Sequence, residues 1–263
     1  MIGLLSAVPA AEAQVPNRYR TAEADLPCVD QTLTLRIHLV DDEDGSPQTI
    51  DTVAFDSLLG VVNGWFAPIC LGFEVCEYRR VQNYRYASFE RNDSTETAVL
   101  FGDRNRIDVF LVSRDSLFRP GIGTVEGATA EFRPEASVAV VRDDAERDAV
   151  HLAHQLGHYF GLRNTYARVG GQELVNGENC AEAGDLICDT PADPYVENAN
   201  VQWTDPADPC RFVFRGRDEN GQFFVPDTGN VMSRYPAQCA CGFTHDQLAR
   251  MAAAFLANRA GLY

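Results

Sequence analysis

The side chains whose types and spacing best fit a functional site are two histidines four residues apart. His154 and His158 fall in a stretch whose apolar residues recur at helical spacing. Side chains four apart lie one above the other on a helix, and two neutral imidazoles so placed can bind one Zn²⁺. Gly161 can then turn the chain sharply and bring Asn164 back as a third ligand. The spacing predicts a metal site on a helix.

Spacing alone leaves two other interpretations of these histidines open. The pair can consist of polar side chains on a solvated helix face. His151 lies seven residues before His158, and seven residues span about 10.5 Å along a helix, so one ion does not bridge all three histidines. His151 with His154 is an alternative metal pair, and otherwise His151 is a solvated or core-edge side chain.

Four segments between residues 149 and 251 form a series of motifs. They are Gly157-His158-Tyr159-Phe160-Gly161-Leu162 with Asn164-Thr165-Tyr166, the stretch from Ala183 to Asp193, Asn230-Val231-Met232-Ser233, and Phe243-Thr244 with Gln247 and Arg250-Met251. In this order they resemble the G-H-x-x-G-L-x-H-T-F, G-D-x-x-x-D-T-P-A, N-x-M-S and F-T-x-x-Q-x-x-R-M motifs of the pappalysin family of metzincin metallopeptidases, in its cytophagalysin-like branch. Weaker similarity at residues 63–68, 73–77 and 83–86 extends the resemblance over most of the mature chain.

The resemblance implies a fold and a division of the chain. We expect an α+β, metzincin-like zincin fold with a twisted mixed sheet and an active-site helix, followed by an irregular, disulfide-stapled C-terminal lobe that ends in a helix. Residues 31–263 would form this metallopeptidase-like domain, with an N-terminal lobe at 31–161 and a C-terminal lobe at 162–263. Met232 would lie in a tight turn beneath the metal, although a core methionine is the simpler interpretation.

Three positions depart from the catalytic pattern that the resemblance implies. The general-base glutamate is replaced by Gln155, whose amide cannot take up a proton near neutral pH. The third histidine is replaced by Asn164, whose oxygen is a harder and weaker zinc ligand than imidazole. The tyrosine expected two residues after Met232 is replaced by Arg234, with Tyr235 one step later, and both are candidates for the oxyanion side. Loss of a general base alone costs about 10²–10⁴-fold in rate.

These departures favour a pseudoenzyme of a hydrolase family. We expect zinc binding to be weak or lost, peptide hydrolysis to be lost or strongly reduced, and binding of a peptide or protein ligand to be retained. One alternative is an active secreted zinc metalloendopeptidase with an unconventional site. The other is a structural secreted module in which the histidines have no role.

The segment that resembles G-D-x-x-x-D-T-P-A carries hard oxygen ligands. Asp185, Asp189 and Thr190 lie in a predicted loop, and carboxylate, hydroxyl and carbonyl oxygens suit Ca²⁺. The resemblance implies a structural calcium site here. Ordinary turn aspartates are the alternative, because the spacing does not show a calcium site by itself.

The N-terminus and the cysteines favour export. Residues 1–13 are short, apolar and end in Ala11-Glu12-Ala13, which is typical of the end of a signal peptide with its cleavage site; a disordered apolar N-terminus is the alternative. Residues 14–30 read as an irregular lead-in. Eight cysteines without paired C-x-x-C spacing favour disulfide bonds, mostly within 180–241, in a secreted, periplasmic or cell-surface protein.

Composition limits the partners. The chain of 263 residues has a formal net charge of −16, and all of its basic residues are arginine, which argues against nucleic acid and anionic membranes as partners. We expect no membrane span, because no apolar run reaches the length of about 18 residues that a span needs. The oligomeric state is left open.

Periodicity places the elements around the predicted site. Leu33, Leu35, Ile37 and Leu39 alternate with polar residues, which predicts a half-buried strand on which His38 is structural. Thr244 and Gln247 form a capping box. The other predicted elements are a helix within 49–66, strands at 73–78, 106–112 and 137–141, a helix after Asp143 or Asp144 that carries the histidines, and a final helix at 248–256.

Overall fold

The structure is a computed structural model that describes residues 26–42, 44–83, 96, 100–101, 106–112, 138–141, 149–197 and 199–258, with the backbone alone at 138–141. The predicted signal peptide, most of the lead-in and the predicted helix cap at Asp143 or Asp144 lie outside these residues. The elements are β1 (Gln31–Val40), α1 (Thr52–Phe66), β2 (Leu71–Val81), β3 (Ile107–Val112), β4 (Val138–Val141), α2 (Ala149–Tyr159) and α3 (His245–Asn258), with short 3₁₀ helices at Ala67–Ile69 and Ala237–Cys239.

The four strands form one sheet in the order β2-β1-β3-β4, and all three pairings are parallel. Parallel neighbours require crossover connections, and α1 lies in the one between β1 and β2. The prediction of a sheet combined with helices is confirmed. An antiparallel strand, which the predicted mixed sheet needs, is not among the described residues.

One face of this sheet carries the main core. Leu33, Leu35 and Ile37 on β1 are fully buried and share a hydrophobic cluster with side chains of all three helices. Helix α1 starts where the Asp51 side chain accepts hydrogen bonds from two backbone N–H groups, as an N-cap residue does. The alternating pattern of β1 thus identified the core-facing side chains correctly.

The second face of β1 is also buried, which the alternation did not predict. His38 is fully buried, and its Nε2 lies 2.7 Å from Oδ1 of Asp108 on β3. Its ring stacks on Phe110 with centroids 4.3 Å apart, and Arg36 lies 3.2 Å from the same carboxylate. Buried polar groups are tolerated when they are paired, so these contacts fit a structural role for His38.

The edge of the described sheet at β2 is covered at one point by a side chain. Asn63 of α1 donates a hydrogen bond to the carbonyl of Phe73 and accepts one from its N–H, at 3.0 and 2.8 Å. The amide therefore occupies the positions that a further strand would use at Phe73.

Six of the eight cysteines form disulfides, which confirms that prediction. The pairs are Cys28–Cys70, Cys180–Cys188 and Cys210–Cys239. Two of the three pairs lie within 180–241, as expected. Cys76 and Cys241 are free and exposed.

One helical stretch meets the length and composition of a membrane span. Thr52–Ile69 has a mean hydropathy of 1.2 and is 28% buried, so the expectation that no such stretch exists needs this qualification. A single helix of this kind is weak evidence for a span, because core helices of soluble proteins have the same composition. Four of its residues, Phe55, Leu59, Val62 and Phe66, are buried in the core.

The C-terminal lobe is irregular between α2 and the 3₁₀ helix at 237–239 within the described residues. It ends in α3, which begins at His245, three residues before the predicted start. The capping box is present, because Thr244 Oγ1 accepts from the Gln247 N–H and Gln247 Oε1 accepts from the Thr244 N–H.

Candidate metal centre

Helix α2 brings the predicted histidine pair into the interior. His154 is 7% exposed and His158 is 1% exposed, so neither lies on a solvated face. Their ring centroids are 4.6 Å apart and their planes are nearly perpendicular. Because α2 is buried almost all round, these imidazoles require polar partners.

Each histidine uses one ring nitrogen to bind a backbone carbonyl. Nδ1 of His154 lies 2.8 Å from the Val231 oxygen, and Nδ1 of His158 lies 2.9 Å from the Leu162 oxygen. A carbonyl accepts and cannot donate, so Nδ1 carries the proton in both rings. Both Nε2 atoms therefore keep the lone pair that a metal requires, and a bond that fixes the ring in this way is common behind metal-binding histidines.

Burial favours the neutral form of both rings. It lowers the pKa of His154 well below the usual value, and the charges of His158 and Arg234 act in the same direction. Burial likewise lowers the pKa of His158. Two imidazoles that are neutral at pH 7 are competent to bind a cation without first losing a proton.

Two buried atoms at this site have no partner among the described residues. They are Nε2 of His154 and Oδ1 of Asn164. The Asn164 side chain lies next to His158, where it favours the charged imidazole. An unpaired buried polar atom costs about 1–3 kcal/mol, so a nitrogen and an oxygen left open around the same histidine pair suit a divalent cation.

Gln155 occupies the general-base position of the motif. It is 7% exposed, and its amide makes no hydrogen bond with any described residue. An amide can donate and accept hydrogen bonds but cannot remove a proton from water near neutral pH. The site can therefore orient a ligand at this position and has no base there.

Met232 packs directly against the histidine helix. A Cβ placed on Gly157 would lie 2.5 Å from Met232 Sδ and 3.3 Å from the Phe243 ring. Met232 is fully buried, and its neighbour Val231 supplies the carbonyl that binds His154. The segment from Asn230 to Ser233 thus lies directly against the histidine helix.

The turn that carries Met232 is held by side-chain amides. Asn230 Oδ1 accepts from the Met232 N–H at 2.8 Å. Asn230 and Gln247 also exchange two hydrogen bonds, of 3.0 and 3.2 Å, and both are buried. This pair links the Met232 turn to the first turn of α3.

The two candidates for the oxyanion side have different surroundings. Tyr235 donates its hydroxyl hydrogen to Asp193 at 2.8 Å, and the same carboxylate accepts from Thr165. Burial, followed by the charge of Asp193, raises the pKa of Tyr235. Arg234 is half-buried, and its charge acts on both His154 and Tyr166. Tyr235 thus ties together three segments around the site, while Arg234 supplies positive charge.

The three residues of the predicted calcium site form hydrogen bonds with different parts of the structure. Asp185 is fully buried and accepts from Thr190 Oγ1 and from the Ile187 N–H. Asp189 accepts from Thr244 and from the backbone N–H of Asp246 at the start of α3. The two aspartates therefore do not present one shared set of free oxygens, and calcium binding at this segment stays a prediction.

Sequence reasoning missed two acidic features near this segment. Within the described part of the chain, Asp189, His245 and Asp246 form the one group of three His, Cys, Asp or Glu side chains close enough to hold a metal ion. Glu173 is buried, and its burial, with the charges of Asp185 and Asp193, raises its pKa to about 8. Neither feature has a recognisable spacing, because the residues come from separate segments of the chain.

Comparison of the chain with models of protein families and with curated proteins found no match. Membership of the pappalysin family therefore stays a prediction from the sequence motifs.

Proposed function

We propose that this chain is a secreted, pappalysin-like domain that binds zinc weakly, has lost most peptide hydrolysis and retains binding of a peptide or protein ligand. The observation that carries the proposal is the paired hydrogen bonding of His154 and His158. Both Nδ1 atoms donate to backbone carbonyls, which leaves both Nε2 atoms as potential ligands on one buried helix face.

The donor set fits zinc, but incompletely. His154 and His158 would supply two nitrogens and Asn164 the unpaired Oδ1; a bound zinc ion would act there as a Lewis acid. Three imidazoles are the usual catalytic set of this type, and an amide oxygen binds zinc less well. Affinity is therefore reduced relative to a three-histidine site.

The residues around the donors support the loss of hydrolysis. Gln155 cannot serve as a general base, and the Tyr235 hydroxyl is bonded to Asp193. Removing a base costs about 10²–10⁴-fold, and a weaker metal site adds to that loss. Met232 packs against Gly157 and Asn230 is bonded to Gln247, and these contacts support a site that acts as a binding surface rather than as a catalyst.

The first test measures metal content and hydrolysis together. Protein purified without added metal, then equilibrated with excess zinc and desalted, is analysed by mass spectrometry and assayed on casein. We expect up to about one zinc per chain and negligible caseinolysis. The variant carrying Gln155→Glu and Asn164→His should hold zinc more tightly and cleave casein.

Matched variants separate the histidine pair from other sites. His158→Phe should abolish zinc uptake, whereas His245→Ala, which removes a histidine from the group with Asp189 and Asp246, should not. Strong hydrolysis by the natural chain that a chelator stops would contradict the proposal and support a working endopeptidase. Absence of zinc from both the natural chain and the double variant would contradict the metal site and favour a structural module.

A further inference from the structure

Arg234 is a cation of an acidic protein that has no partner among the described side chains. The chain has 38 acidic and 22 basic residues, and its arginines commonly pair, as Arg80 does with Asp41 and Arg211 with Asp205. Arg234 is half-buried and forms no ion pair and no hydrogen bond with any residue that the structure describes. A partly desolvated guanidinium with free donors favours an anionic ligand.

The position of Arg234 is tied to the histidine site. It follows Val231, whose carbonyl binds His154, by three residues. Its charge acts on His154 and on Tyr166, which follows Asn164 by two residues. Arg234 therefore lies close to the histidine site.

The two carboxylates near this part of the site accept hydrogen bonds from hydroxyl groups. Asp193 is bonded to Thr165 and Tyr235, and Glu197 accepts from the Tyr166 hydroxyl. The glutamate that would bring a negative charge next to His154 is replaced by neutral Gln155. The Gln155 amide has two N–H donors and no partner among the described residues.

We propose that Arg234 and the Gln155 amide bind a carboxylate group of the ligand beside the histidine pair. A guanidinium forms charge-assisted hydrogen bonds with a carboxylate, and an amide N–H adds a neutral one. A glutamate in place of Gln155 would repel the same group. The exchange to glutamine therefore changes the site from one that processes an uncharged peptide bond to one that retains an anion.

This inference rests on the proposed function, because it names the chemistry of the ligand at the same site. The carboxylate can come from a peptide C-terminus or from an Asp or Glu side chain. Three dye-labelled alanine-glycine pentapeptides distinguish these sources. One has a free C-terminal carboxylate, one has a C-terminal amide, and one has a C-terminal amide with a central glutamate.

Binding is measured by fluorescence anisotropy on the full chain, and zinc content is measured on the same samples. We expect at least one of the two acidic peptides to bind about tenfold more tightly than the uncharged amide. Arg234→Met should remove this preference, and Gln155→Glu should remove or reverse it. Arg215→Met deletes an exposed arginine of the same lobe and should leave the preference unchanged.

Each outcome separates this inference from the proposed function. Zinc uptake without a preference for carboxylate overturns the inference alone. A carboxylate preference that depends on Arg234 in protein that takes up no zinc supports the inference and overturns the metal site. Absence of both zinc and preference overturns both. A preference that Arg215→Met removes as fully as Arg234→Met would show general charge attraction and would also overturn the inference.

Discussion

Nδ1 of His154 lies 2.8 Å from the carbonyl oxygen of Val231, although 77 residues separate them. The contact joins the histidine helix to the turn that carries Met232, and it fixes the tautomer that leaves Nε2 open. A site meant only to fill a core would not need an imidazole held in this way with its second nitrogen unpaired. The packing of the Met232 turn against α2 therefore determines whether Nε2 of His154 can bind a metal.

The close packing of Gly157 on Met232 can be tested with alanine. Gly157→Ala gains up to about 1 kcal/mol in helix propensity, but its methyl group would overlap the buried sulfur of Met232 and touch the Phe243 ring. Overpacking of a filled core costs about 1–3 kcal/mol. We expect a net loss of about 1 kcal/mol in the free energy of unfolding, measured by thermal or urea denaturation. Gly60→Ala on α1 is the control, because its added methyl meets nothing within 4 Å, and it should stabilise the chain.

Breaking the bonds between Asn230 and Gln247, which hold the Met232 turn, should reduce stability more than Gly157→Ala does. Gln247→Met keeps the length of a fully buried side chain but removes its bonds to Asn230 and to the Thr244 N–H. Each buried group left unpaired costs about 1–3 kcal/mol, so we expect a loss of about 2–4 kcal/mol in urea denaturation. Asn258→Ala, which removes an exposed bond at the end of the same helix, should change stability by less than about 0.5 kcal/mol.

Replacement of Tyr235 can distinguish a structural role of its hydroxyl group from a catalytic one. Tyr235→Phe removes the hydroxyl that binds Asp193 and should destabilise the fold by about 1–3 kcal/mol. In the background of Gln155→Glu with Asn164→His, caseinolysis per folded molecule should stay within about twofold, because this hydroxyl is already bonded to Asp193. A loss of about a hundredfold in turnover, the usual size for a missing oxyanion donor, would instead place Tyr235 in the reaction.

The buried carboxyl of Glu173 predicts a pH dependence of stability. Its pKa rises from the usual value of 4.5 to about 8 in the folded chain, chiefly through burial. Between these values the folded state keeps a proton that the unfolded state releases, so stability falls as pH rises. The slope from this group is at most about 1.4 kcal/mol per pH unit.

Glu173→Gln should flatten that slope and stabilise the chain at pH 8, measured by urea denaturation between pH 5 and 8 in the presence of a chelator. Glu178→Gln is the matched control, because Glu178 is an exposed glutamate of the same loop region. An unchanged slope in Glu173→Gln would assign the pH dependence to other groups, of which Asp185, with a pKa raised by burial to about 7, is the first to test.

Local sequence patterns correctly predicted the features that depend on residues close to each other in the chain. The alternation of Leu33, Leu35 and Ile37 placed β1 and its core face, and the four-residue spacing of His154 and His158 placed both on one buried helix. The capping box of Thr244 and Gln247 was found for the same reason. In each case the residues that interact are close in the chain, so their spacing carries the geometry.

The features that were not predicted depend on partners far away in the sequence, and the spacing of residues does not reveal such partners. The second face of β1 is buried because Asp108, 70 residues further along the chain, binds His38. The local pattern does not reveal this partner, so the polar side of the strand was expected to face solvent. Tyr235 looked available for catalysis because its partner Asp193 is 42 residues away. The oxygens of Asp189 accept hydrogen bonds from Thr244 and Asp246 at the start of α3, 55 and 57 residues further on, and the spacing of the aspartates does not reveal these bonds.

The amide of Asn63 has a consequence for how copies of this protein behave in solution. An open strand at the edge of a sheet offers its backbone to any other strand and promotes aggregation. At Phe73 both backbone groups are already bonded to that amide, so a second copy cannot add a strand in register there. One side chain from a neighbouring helix thus helps to prevent two copies of the chain from forming an intermolecular sheet at this edge.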